Sequence, residues 1–228
     1  MDKLSKRNVV DMTDYREDEG FSALAQVEGY WEALRGNRLL PKRSEIDPRG
    51  IESALEYTFV LERIAIGTAR MRLAGAHLNN LMGMEVRGMP LSSFISSSDR
   101  TQLSEILEEV FQRPATCELL LCAETGRGRP PMQARMLLLP LMSDLGDVSR
   151  VLGCFIARGD MGETPRRFEI SNVKIRPLGV DEVDARLDKA FPLNEKSRNL
   201  AGFSEPSSHF HASSMPKTKP HLRLVVNN

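Results

Sequence analysis

This sequence lacks net charge, cysteine pairs and long apolar runs, and each absence excludes a class of function. Lysine plus arginine number 31 against 31 aspartates plus glutamates. No basic excess therefore marks a surface dedicated to nucleic acid or to an anionic membrane. No apolar run approaches the ~18 residues needed to span a bilayer. The first twenty residues are polar and carry no apolar core of a secretory signal, so a reduced, cytoplasmic setting is expected and no membrane partner. The three cysteines, Cys117, Cys122 and Cys154, show no zinc-type spacing. Cys117 and Cys122 lie an odd number apart in one strand-like run, which sends them to opposite faces. All three read as small buried hydrophobes.

Histidine is equally scarce. Of four, His209, His211 and His221 fall in a Ser-, Pro- and Lys-rich tail and only His77 lies within the apolar-patterned region. A nucleophilic enzyme needs Ser or Cys with His and acid support, and the pattern offers none. Glu108 and Glu109 are adjacent on a predicted helix and so splay by about 100°. No catalytic residue and no metal site is expected.

What is present is patterning. Leu24, Val27, Trp31 and Leu34 recur at helical spacing, and Gly36 is placed to end that amphipathic helix. Pro41 and Pro48 then fix an extended, non-helical crossing of the surface, and Arg35, Arg38, Lys42 and Arg43 cluster around Pro41. Residues 55–66 and 70–73 read as strands, 76–82 as a short helix stopped by Gly83, and 91–95 as a single turn. The clearest helix starts at Ser98 or Asp99, with Leu103, Ile106, Leu107, Val110 and Phe111 on one stripe and Pro114 beyond its end. Three apolar segments, 115–123, 132–142 and 151–157, follow as an antiparallel meander. One more strand is readable over 167–178 and a short helix over 181–190. The apolar run 221–226 reads as a stray strand former, or as a peptide that joins a partner's sheet edge. This order makes an α+β layout: a five-stranded antiparallel sheet with helices on one face and a small cavity between the layers.

The ordered blocks carry a resemblance. Trp31, Leu34-Arg35-Gly36, Arg38, Pro41, Arg43 and Ile46-Asp47-Pro48 open the series, followed by Phe59-Val60-Leu61 and Arg70, Arg72-Leu73-Ala74-Gly75. Leu81-Met82-Gly83, Gly88, Leu137 to Leu141 and Arg150-Val151-Leu152-Gly153 complete it. Spanning roughly residues 24–158, the set resembles a PAS-fold family widespread in alphaproteobacteria. It departs where the family often has Thr before a helix and this chain has Ala76. The resemblance implies a non-enzymatic sensory or interaction domain in bacterial signal transduction. Its parts would be a disordered lead-in (1–20), an N-terminal helix and basic turn (21–53), a PAS core (54–160), a short extension (161–192) and a disordered tail (193–228). The cavity of such a fold would be lined by Phe59, Leu61, Leu73, Leu78, Leu81, Phe94, Leu107 and Phe111, with Trp31 anchoring the first helix. The partner would be a signalling protein such as a histidine kinase, or a second copy docking through the N-terminal helix or the sheet face.

Rival chemistries lack the residues they need. A haem sensor of this fold takes its histidine from the long helix, which here has none, and His77 is a surface or capping residue instead. A covalent flavin photoreceptor needs an Asn-Cys-Arg-Phe-type helix motif, absent here, so no cofactor is named. The loop Gly126-Arg-Gly-Arg-Pro-Pro131 lacks the Gly-Lys-Ser/Thr ending of a phosphate cradle and reads as a hairpin turn. Arg35, Arg38 and Arg43 either bind an anion or pair with Glu32, Glu45 and Asp47 in a solvated turn. A DNA-associated regulator is the rival class, and the balanced charge argues against it.

Overall fold

The computed structural model describes residues 20–179, which fall within one unit. The lead-in 1–19, the helix read over 181–190 and the tail with its 221–226 run lie outside the described residues. Helix α1 spans Ser22–Arg35 and buries Leu24, Val27 and Trp31, three of its four stripe positions. Gly36 ends it at φ +55°, a conformation glycine adopts freely, with its N–H on the Glu32 carbonyl. Two 3₁₀ segments follow, Arg43–Glu45 and Pro48–Tyr57. The strand expected from residue 55 therefore begins later, as β1 (Thr58–Ala65). Pro at the first position and the Asp47 carboxylate on the Arg49 N–H favour a helical start instead.

After β1 come β2 (Thr68–Ala74) and α2 (Ala76–Met82), then a 3₁₀ turn Leu91–Phe94 and α3 (Arg100–Gln112). Strands β3 (Ala115–Ala123), β4 (Met132–Leu141), β5 (Arg150–Gly159) and β6 (Phe168–Pro177) complete the chain. All pairings are antiparallel, in the order β2-β1-β5-β4-β3-β6. The five expected strands are present, and the 167–178 segment adds a sixth beside β3.

One face carries α2 and α3. All five predicted apolar positions of α3 are buried there, against Cys117, Leu119, Met136, Leu138 and Phe155 from the strands. On the opposite face, α1 and the Pro48–Tyr57 segment pack on Leu137, Leu139, Leu141, Leu152 and Ile156. Trp31 is fully buried in this second layer, and its indole N–H donates to the Pro140 carbonyl at 3.0 Å. Pro140 stands beyond Leu138, the last β4 partner of β3, at the strand end where proline is tolerated. Cys117 and Cys122 do point to opposite faces, buried and exposed respectively. Burial pushes the Cys117 and Cys154 thiols up to about 12, which leaves both inert at neutral pH. Among the described residues no helix is long and apolar enough to cross a membrane.

Candidate functional site

Seven of the eight residues expected to line an inter-layer cavity lie together in the core between the sheet and α2/α3: Phe59, Leu61, Leu78, Leu81, Phe94, Leu107 and Phe111. Close packing is visible in detail there. Phe94 and Phe168 both set their rings edge-on to Phe155, at 5.6 and 5.2 Å. The Phe59 ring occupies the space above Gly153, where an added Cβ would stand 2.1 Å from its Cζ. Leu73 does not join them. It is 53% exposed, on the opposite face of the sheet. The cause is a register shift: Val60 pairs with Leu73 but Leu61 pairs with Met71, so Arg72 is an extra residue in β2. Such a bulge reverses the facing of every residue beyond it.

The basic turn is internally neutralised. Arg35 is buried over the Trp31 ring and pairs with Glu32 at 2.9 Å. Arg38 grips both Glu45 oxygens at 2.9 Å, and Glu45 also accepts the Lys42 N–H. The Arg38 hydrogen bond holds the Glu45 carboxyl below the usual range. Arg43 differs: its backbone N–H reaches the Met142 carbonyl, but its exposed side chain has no polar partner among the described residues. Asp47 is held by Tyr30, whose hydroxyl accepts its N–H at 2.7 Å and donates to its carbonyl at 3.0 Å. The block that opens the family pattern thus locks α1 to the segment after it.

His77 sits at the start of α2 and accepts the Ala157 N–H through Nε2 at 3.0 Å, with Tyr57 edge-on at 5.0 Å. β1 pairs with β5 only as far as Cys154, so the imidazole caps an edge N–H that no strand reaches. Burial pushes its pKa down, and the neutral ring that accepts a hydrogen bond is the form the fold favours.

The chemically richest surface is the β1–β2 end of the sheet, which α1 leaves uncovered. There one carboxylate serves three guanidinium groups: Glu62 meets Arg70 at 2.8 Å, Arg72 at 3.1 Å and Arg150 at 2.8 Å. The Arg70 hydrogen bond, with the Arg150 and Arg72 charges, holds the Glu62 carboxyl below its ordinary value. Arg70 stands opposite Glu62 in the β1–β2 ladder, and Arg72, two residues on, reaches the same carboxylate. Around this cluster Ile64, Ile66 and Leu145 are 51%, 81% and 95% exposed. Two clefts, of about 470 and 580 Å³, open beside the 143–149 loop and share Arg63, Asp147 and Ser149 in their walls. Arg63 itself is taken up by Glu108 of α3 at 2.7 Å, which also accepts the Gly67 N–H of the hairpin tip. The sequence displayed these arginines openly, yet no local signal shows that β5 brings Arg150 to the same carboxylate.

Compared with known proteins, residues 21–156 match the family profile described as PAS domain. The chain belongs to the PAS domain family. A comparison with curated proteins finds no match. A solved structure titled "Flavin Analogue Sheds Light on Light-Oxygen-Voltage Domain Mechanism" is similar at 12% identity and a TM-score of 0.36, covering 62% of this chain and 91% of that one. That likeness is too loose to argue from. What the PAS domain assignment supplies is the coarse role, a sensory and signalling module.

Proposed function

We propose that this PAS domain is a non-enzymatic regulator in bacterial signal transduction that acts by binding another protein through the β1–β2 end of its sheet. One observation carries the reading. Leu73, Ile64, Ile66 and Leu145 stand exposed around three arginines that share the Glu62 carboxylate. Arginine is enriched at interface hot spots, and exposed aliphatic side chains gathered in one patch mark an interaction surface. The exposed Arg70 and Arg72 guanidinium groups favour a partner with acidic residues at the contact, such as a signalling protein of the histidine-kinase type. The apolar stripe of α1 is already packed on its own sheet, so self-association through that stripe would require undocking. An inner layer filled by Phe59, Phe94, Phe111 and Phe155 makes protein binding the better-supported output than small-ligand sensing.

The test is quantitative co-purification from the host with tagged full-length chain against the Ile66→Asp/Leu73→Asp double variant. A specific set of signalling proteins lost from the variant, with an unchanged thermal midpoint, supports the reading. Identical protein sets on both chains contradict it.

A further inference from the structure

Arg166 lies in the β5–β6 connection and is completely buried, yet pairs with no carboxylate. Its Nη1 donates to the Met161 carbonyl at 2.8 Å, and Nη2 to the carbonyls of Pro130 at 2.6 Å and Glu124 at 3.4 Å. Its own N–H reaches the Leu81 carbonyl at the end of α2. Three carbonyls answer three of the five N–H groups a guanidinium offers, but neutral dipoles do not cancel its charge. Its Nε is the one buried side-chain nitrogen or oxygen among the described residues with no hydrogen-bond partner. A buried cation without an anion is costly.

The surroundings deepen the imbalance. Arg129, next to the Pro130 that Arg166 holds, is half-buried and has no ion-pair or hydrogen-bond partner for its side chain among the described residues. Arg127 and Arg167 lie exposed nearby on the same two loops, also without ion pairs. Burial and the Arg129 charge both push the Arg166 guanidinium down, and the Asp160 charge opposes them more weakly. The two loops are fixed against each other: Glu163 N–H donates to the Gly128 carbonyl at 2.7 Å, and a Cβ on Gly162 would stand 2.4 Å from the Gly128 oxygen. They hold the Arg166 and Arg129 guanidinium groups close enough to repel, and although the same loops carry Asp160 and Glu163, neither forms a salt bridge with Arg129 or Arg166 among the described residues.

We infer that the β3–β4 hairpin and the β5–β6 loop form a binding site for a small oxyanion, a phosphate or carboxylate group, held by Arg166 from beneath and Arg129 from the rim. The Arg166 Nε and the free Arg129 donors supply charge-assisted hydrogen bonds to it. The site is separate from the β1–β2 surface and does not rest on the proposed protein binding. The absence of a Gly-Lys-Ser/Thr ending in the hairpin is no obstacle, because side chains and not a glycine cradle make the contacts.

Thermal unfolding of the full-length chain, titrated with inorganic phosphate and separately with succinate at constant ionic strength, tests this. A saturable rise of the midpoint with either anion is expected, with phosphate or succinate alone telling which group the site takes. Arg129→Gln should keep the fold and weaken the response by about tenfold or more, the factor that ~1.4 kcal/mol represents. Arg166→Met should abolish the response if the variant folds. No saturable rise with either anion overturns the site, as does an equal rise in Arg129→Gln.

Discussion

The outer face of the sheet has two halves with opposite treatment. Under α1, Trp31, Leu137, Leu139 and Leu152 are sealed from water, and Arg35 is buried on the Trp31 ring beside its carboxylate. Toward β1 and β2, aliphatic side chains stand in solvent and arginines share a single glutamate. The sealed half serves stability: its apolar area is removed from water within the chain. The open half contributes little to stability, since exposed ion pairs are worth ~0–1 kcal/mol. It is the surface that the proposed protein contact would use.

The sharpest way to break this contrast is Trp31→Ala. It should cost about 3–5 kcal/mol, the range for removing a large buried aromatic, read as a lower urea midpoint. Next is Gly153→Ala on the inner face, where the new methyl meets the Phe59 ring. Overpacking of this kind costs about 1–3 kcal/mol, and a Phe59→Leu second change should recover part of it. If either substitution were silent, the layer it probes would not be packed as described.

Smaller effects belong to the open half. Glu62→Gln should lower stability at neutral pH by under about 1 kcal/mol. Because the folded Glu62 carboxyl lies below its ordinary value, its contribution is present above the unfolded pKa of about 4.3 and is lost as pH falls through the lower folded value. Wild type and variant should therefore converge in urea titrations below about pH 4. His77 has the same sign. Its folded pKa is depressed, so its contribution is complete above the unfolded value near 6.5 and declines as pH falls below it. His77→Gln, which keeps an acceptor for the Ala157 N–H, should flatten the wild-type loss of stability in that window. Smallest of all, Leu73→Ser should leave the midpoint within about 0.5 kcal/mol of wild type.

The sequence made one half of this picture much more readable than the other. The α3 stripe and the three apolar strands are periodic over ten residues or so, long enough for their spacing to declare which side chains are buried. The stripe of α1 showed that Leu24, Val27 and Trp31 would be covered but not by what, because amphipathicity carries no address. Leu73 was misplaced because one extra residue in a strand inverts alternation and leaves no mark on composition. Arg166 escaped notice for a related reason. A charged residue in a Pro- and Gly-containing connection is ordinarily solvated, and its burial arises only when β6 returns beside β3 and brings that loop under the hairpin. For the same reason the Glu62 cluster, assembled from three strands, had no motif to announce it.

Site-specific photo-crosslinking in the host cell tests the central contrast most directly. A crosslinking residue at Ile66, in the open half, is compared with one at Gln26, exposed on the outer side of α1. The account predicts a discrete crosslinked partner from position 66, carrying acidic residues at the linked site, and none from position 26. Crosslinks of equal yield to the same protein from both positions, or from position 26 alone, would contradict it.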